Sequence, residues 1–519
     1  MRLQAAWRRI DFGPGERIAW AVTAALVVIF AVAFAQEIVQ ADDAFISYRY
    51  SLNLATGHGL VFNQGEYVEG YTNLLWVVLV AAFIRLGIHA PSAAQGMSVF
   101  FGALSLIMLH AYVRRFLPRR FAWLAAAAPL VMWASNGFAC WMSAGLETPL
   151  FLCLTLAALL AFDRERPVWV ALICGLAFLC RPEGGIEASV LLGVPWLLAV
   201  VRGEHSARSV LRVSTAPLIF AAFAVGLTVF RLIYYGDIVP NTFHAKVGQI
   251  PMVIGWIYVQ KFLGDGPLLL LPACLLAAFA APRLRLPLLF AIVTAAYCIS
   301  IGGDVFAYGR FLLPVLPVLL AGGAFGAGWI MERQIVAGAV MALMLPAAAL
   351  VSLYGHVSPP DYYFSSDYDW GGYTPLPFPL SGKRATAERH YVAVPQEKAV
   401  SIESGRLIRQ IRPGPWLVAC IAIGKMGYYN MDLSLLDMVG LIDRHIAQSD
   451  RVIPNTSILP GHSRTDSDYV LARKPDIIML PNTTDLHPGM LPAAADLLGN
   501  PKLTQEYTFR PDGPFWVRK

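Results

Sequence analysis

Asp42 and Asp43 stand side by side just beyond the apolar run from Ile18 to Ala35. A carboxylate at such a place can take the proton of an incoming hydroxyl, or brace a glycosyl cation as a sugar leaves its carrier. A neighbouring carboxylate raises the proton affinity of one member of the pair, while a helix N-terminus favours the charged form. The structural alternative is that an Asp here caps a helix, and the two readings are compatible. Phe45, Tyr48, Leu52 and Ala55 recur on one helical face, so the pair is predicted to open a helix that runs through Ala55. A divalent ion beside the pair has weak support, because two adjacent Asp with no further ligand motif make a poor site. The seven cysteines include no CxxC pair, and only Cys420 falls in the polar C-terminal part, so neither a zinc site nor a disulfide framework is indicated.

What must position that pair is mostly hydrocarbon. Of the 519 residues 57% are hydrophobic and 14% charged, against roughly 25% charged in a soluble domain. A mean hydropathy of +0.56 excludes an ordinary soluble enzyme and makes lipid the solvent for most of the first 354 residues. The net charge of +6 is uneven: residues 355–519 carry 17 basic and 17 acidic groups, so the whole excess lies in residues 1–354. That is a membrane-orientation signal and not a nucleic-acid footprint.

Twelve apolar runs approach the roughly 20 residues that cross a bilayer, from Ile18–Ala35 to Ile335–Tyr354. Basic clusters at Arg2 to Arg17, Arg114 to Arg120, Arg164 and Arg166, Arg202 to Arg212, Arg283 and Arg285, and Arg333 are all expected on the cytoplasmic side. Three runs separate the first two clusters, yet a return to the same side needs an even number of crossings. Thr72 to Ile88, the shortest of the three and directly after a polar loop, is therefore read as a re-entrant or interfacial helix. Eleven spans remain, with the N-terminus inside and the tail outside. The first run is expected to be a retained helix, since no small-residue cleavage site follows it.

The tail from residue 355 has the composition of a soluble domain. After a linker rich in Pro, Tyr and Asp (Ser358 to Pro379), Trp416–Ile423 and Pro475–Leu480 read as strands and Leu433–Ile446 as a strand and helix mixture. A small α/β domain over residues 355–519 is the expectation. Gly424-Lys425-Met426-Gly427 lacks the order of a phosphate loop and is expected to be a plain turn.

Several stretches resemble membrane glycosyltransferases of the GT-C superfamily, which use polyprenyl-phosphate sugars. They are Asp42-Asp43-Ala44-Phe45-Ile46-Ser47-Tyr48-Arg49-Tyr50, Gly57-His58-Gly59, Val68-Glu69-Gly70-Tyr71-Thr72-Asn73, Gly145-Leu146-Glu147-Thr148-Pro149, Arg181-Pro182-Glu183-Gly184, and Gly302-Gly303-Asp304 with Arg310-Phe311. More narrowly the chain is similar to the mycobacterial AftB-type terminal arabinofuranosyltransferases. That resemblance implies a GT-C-like all-α membrane domain over residues 1–354 and a bacterial cytoplasmic-membrane location. It implies a polyprenyl-phosphate donor carrying a sugar such as arabinofuranose, and a glycan, lipid or protein acceptor on the outer face. It places the catalytic carboxylate at Asp42 or Asp43, and no nucleotide or redox cofactor is implied.

A departing lipid phosphate needs cations, and Arg310, Lys246, His244 and Arg181 lie in outer loops close to spans. Arg310 is the first choice, with an interfacial anchor as its alternative. Arg181 has the alternative of pairing with Glu183. His58, Glu69, Glu147 and Asp304 are candidates for acceptor or sugar contacts; loop packing accounts equally well for His58 and Glu69, and a helix cap for Glu147. The reading from another class is a polytopic transporter or lipid flippase.

Overall fold

The computed structural model describes residues 13–34, 40–202, 207–246, 252–304, 308–354, 399–411, 414–453, 463–480, 492–511, 513 and 515–519. The linker of residues 358–379 and the first arginines lie outside them.

Every regular element described before residue 355 is a helix. Among the described residues, seven helices are long and apolar enough to cross a membrane, and nine if each of two bent pairs is counted as one span. Leu74–Arg85, the run set aside on the parity argument, has 12 residues, about 18 Å of helix against a hydrocarbon core of about 30 Å. Thr148–Asp163 and Pro167–Cys180 are also short, at 16 and 14 residues. Arg310–Met331 runs through the middle of the bundle and is buried nearly throughout. The peripheral helices turn large side chains outward: Ile233, Phe279 and Val201 are each more than 70% exposed, as expected where lipid completes the packing.

With no span-length apolar run between Gly236 and Gly266, the sequence reads as an outer loop there, and this is corrected. Within it the chain forms the helices Asn241–Lys246 and Met252–Gly264. The second joins the next apolar segment through a 73° bend; the other bent pair, Arg119–Ala134 with Asn136–Ser143, turns by 60°. The two breaks meet. Asn136 donates from Nδ2 to Asp265 Oδ1 at 3.0 Å and to the Ser352 carbonyl at 2.6 Å, and Ser352 Oγ donates to Asp265 Oδ2 at 2.9 Å. Helix breaks and ends free backbone groups, and the Ser352 carbonyl is one that this junction satisfies.

The C-terminal part contains a five-stranded sheet of β1 (Trp416–Cys420), β2 (Leu433–Asp437), β3 (Ile477–Met479), β4 (Tyr507–Arg510) and β5 (Phe515–Arg518), in the order β2-β1-β3-β5-β4. The first three strands pair in parallel and the β5 and β4 edge is antiparallel. Val418, Ala419, Leu435, Ile477 and Ile478 form its buried centre. Gly424 to Tyr429, expected as a turn after β1, is a short helix instead.

Candidate active site

The helix that carries the carboxylate pair runs over Asp42–Ala55, as its periodicity requires. Its N-terminal half is pinned from three sides. The Ala41 N–H donates to the Ala144 carbonyl at 3.0 Å, and the Tyr48 hydroxyl bonds the Gly145 carbonyl at 2.9 Å and Gln40 Oε1 at 3.0 Å. Ser47 meets Asn73. Neither Asp caps this helix: the cap position is Ala41, without a side-chain bond.

The two acids face different neighbours. Asp42 accepts the Lys425 N–H on Oδ1 at 2.7 Å and the Gly424 N–H on Oδ2 at 3.0 Å, both from the segment after β1. Burial pushes its carboxyl above the usual range, against the pull of the Lys425 N–H. Asp43 is half-buried and lines a cavity of about 350 Å³.

That cavity gathers residues far apart in sequence: Asp43 and Ser47, Asn73, Glu147, Arg181 and Glu183, Lys246, and Asp304 with Arg310. Leu441, from the turn after β2, closes part of its wall. Most of the charges are paired. Arg181 bonds Glu147 and grips Glu183 at 3.1 and 3.2 Å, and its guanidinium lies 4.8 Å from the Phe311 ring centre. Asn73 Nδ2 donates to Glu147 Oε2 at 2.8 Å. Burial alone would raise the Glu147 carboxyl, but Arg181 and Arg310 outweigh it and hold Glu147 below the ordinary range. Arg310 meets Asp304 through two bonds of 2.8 and 3.1 Å. Among the described residues, Lys246 is the cavity cation with no acidic partner.

Of the candidates read from sequence, Asp43, Glu147, Arg181, Lys246, Asp304 and Arg310 therefore come together. Asp42 turns to the C-terminal part. His244 pairs with Asp237 at 3.0 Å and His58 bonds the Thr56 hydroxyl at 2.9 Å, neither on the cavity wall. Glu69 is buried and binds Arg231 at 2.8 Å. Glu147 precedes the Thr148–Asp163 helix but makes no cap bond. Among the described residues, no group of three or more His, Cys, Asp or Glu is placed to hold a metal ion.

Sequence reasoning missed three residues that tie the C-terminal part to the outer loops. Buried Arg49 donates to the Phe62 carbonyl at 2.8 Å and to the Gly427 and Leu433 carbonyls at 2.7 Å each. Asn63 exchanges both bonds with the Leu435 backbone at 2.8 and 3.0 Å. Asn241 reaches the Gly440 and Leu441 carbonyls at 2.8 and 3.1 Å.

Residues 388–515 match a family described as a domain of unknown function, DUF8728. Over 343 residues the chain is 31% identical to a terminal β-(1→2)-arabinofuranosyltransferase of Corynebacterium glutamicum, covering 54% of this chain and 47% of that protein. It is 28% identical over 352 residues to the protein of the same name from Mycobacterium tuberculosis, covering 58% and 54%. The alignments thus span about half the length of these relatives. Among solved structures, apo ArnT from Cupriavidus metallidurans aligns with 84% of this chain and 88% of its own at 14% identity and a TM-score of 0.48. Archaeal oligosaccharyltransferase AglB from Archaeoglobus fulgidus, in complex with an inhibitory peptide and a dolichol-phosphate, aligns with 96% and 74% at 11% identity and a TM-score of 0.48.

Proposed function

We propose that this protein is an integral membrane glycosyltransferase that moves a sugar from a polyprenyl monophosphate to an acceptor on the outer face of a bacterial cytoplasmic membrane. The observation that carries the reading is the charged cavity at the ends of apolar helices, with the half-buried Asp43 carboxylate and the Lys246 ammonium on one wall system. The names of the two arabinofuranosyltransferase relatives make arabinofuranose the first sugar to try.

In this mechanism Asp43 takes the proton of the acceptor hydroxyl as that oxygen bonds the anomeric carbon. The bond from that carbon to the phosphate oxygen breaks, and the phosphate leaves with the electron pair. Lys246, with Arg310 lining the same cavity, stabilises the negative charge that develops there. Glu147 and Asp304 hold Arg181 and Arg310 in place, and Asn73 orients Glu147. The prenyl tail lies along the apolar helices.

The accompanying topology keeps eleven spans: the nine counted by length plus Thr148–Asp163 and Pro167–Cys180, with Leu74–Arg85 at the outer surface. Residues 355–519 then form an extracytoplasmic domain, and a reporter fused after Tyr354 reads as outside. The deciding experiment incubates purified protein with a panel of polyprenyl-phosphate sugars and cell-envelope acceptors. Transfer from at least one donor is expected. Movement of the lipid across the bilayer with no transfer from any donor would instead establish a flippase.

A further inference from the structure

We infer that the C-terminal unit is a positioning part of the reaction centre, acting through the Gly424 and Lys425 N–H groups that hold Asp42. The inference rests on the transferase reading above and assigns a task to the region matched by a domain of unknown function. Three observations carry it. Both Asp42 carboxylate oxygens are taken by backbone N–H groups of one short segment, at 3.0 and 2.7 Å. Asp42 and Asp43 are consecutive in the first helical turn, so any rotation of the turn that frees Asp42 also swings Asp43 out of the cavity. The approach is close enough to demand glycine: a Cβ on Gly424 would overlap the Asp42 carbonyl oxygen, and one on Gly427 would press on Phe62 and Arg49.

Around this clamp the unit is seated by Arg49, Asn63 and Asn241, and it lends Leu441 to the cavity wall. Asp42 is thus a positioning residue and Asp43 the reacting carboxylate. The anion held by the segment after β1 is supplied by the chain itself, which makes that segment an internal anion holder.

The test separates the N–H from the side chain. Lys425→Pro removes the donor at 2.7 Å, at a place in the first helical turn where proline is tolerated. Lys425→Ala removes the same charge and keeps the donor. The full chain in detergent is assayed for kcat, for binding of unreactive polyprenyl phosphate and for the pH profile. A misplacement of the reacting group predicts a kcat about 100-fold lower for proline, binding within about twofold, and alanine within about threefold of wild type. The acid limb of kcat should move to higher pH in the proline chain relative to the alanine chain. Asp42 is faced there by Asp43 and residue 425, with Cys420 nearby; both variants lack the ammonium, and alanine alone keeps the N–H.

In the Asp42→Ala background, which removes both acceptor oxygens, Lys425→Pro should add little, since both changes break the same contact. Equal kcat for Lys425→Pro and Lys425→Ala, or an undiminished proline effect in the Asp42→Ala background, would overturn the inference. If the proline chain does not insert, Gly424→Ala, whose Cβ pushes the segment off the Asp42 carbonyl oxygen, takes its place in the wild-type background: a kcat lowered with binding unchanged is expected, and a wild-type kcat would overturn the inference. Amide hydrogen exchange at residues 424 and 425, slow in wild type and fast in Asp42→Ala, reads the clamp without catalysis. Absence of transfer by wild type then counts against the transferase reading, whereas unprotected amides count against the clamp.

Discussion

The cavity wall and the docking face of the C-terminal unit are both built from buried polar groups, but by opposite means. On the wall, side chain meets side chain: Arg181 with Glu147 and Glu183, Arg310 with Asp304. On the docking face, side chains meet backbone: Asp42, Arg49, Asn63 and Asn241 all bind main-chain groups between residues 424 and 443. Ion pairs between side chains can exchange partners when a charged ligand enters, as the proposed donor chemistry requires. Bonds to the main chain fix the path of the polypeptide whatever side chains it carries, which suits a scaffold.

The contrast predicts effects of different kind and size. Asp43→Asn should lower transfer by about 10³-fold while leaving binding of polyprenyl phosphate intact, because only the proton-accepting group is lost; single-turnover assays beside a binding isotherm measure both, and full activity would remove Asp43 from the chemistry. Next in size, Arg49→Met should cost about 3–5 kcal/mol, since three carbonyls lose a buried charged donor. Thermal unfolding in detergent, with protease release of the C-terminal unit, reads that loss.

On the wall the cations should separate. Lys246→Ala should weaken binding of polyprenyl phosphate about tenfold, close to the roughly 1–1.5 kcal/mol of one exposed charge-assisted bond, without lowering the melting temperature. Arg310→Ala strands the buried Asp304 and should lower both, while Arg310→Lys keeps a charge and loses the two-point grip. Equal stability of the two alanine variants would erase the distinction.

The smallest effect is a slope. Burial pushes the Asp437 carboxyl up to about 7, against the Val439 and Ile442 N–H groups that bond it. A folded value raised above the unfolded one contributes stability that is fully present below about pH 4 and lost as pH rises through about 7. Asp437→Asn should therefore gain on wild type in melting temperature between about pH 4 and about pH 8. A constant difference across that range would show that Asp437 does not titrate there.

These contrasts also explain what could be read from sequence. The Asp42–Ala55 helix was legible to its last residue because Phe45, Tyr48 and Ala55 repeat at helical spacing, and strands β1 to β3 because each is an apolar run between turns. The cations of the wall were legible as types, though not which of them an acid already holds: Arg310 looked the freest, and Asp304 proves to grip it. The docking face was illegible, because an Asn or Arg that binds carbonyls has partners with no signature of their own. Met252–Gly264 was lost inside a presumed loop, since 13 residues between breakers fall short of a span. Strands β4 and β5, of four residues each, are too short to show a period.

The junction of the two broken helices bears on how the chain is made. Asp265 takes bonds from Asn136, 129 residues earlier, and from Ser352, 87 residues later. At synthesis rates of about 5–20 residues per second, Ser352 follows Asp265 by roughly 4–17 s. A carboxylate within an apolar bundle is costly until such partners arrive. The corner between Met252–Gly264 and the following helix therefore gains its Ser352 bond only when the final apolar helix enters, so biogenesis ends by tightening a bend laid down much earlier.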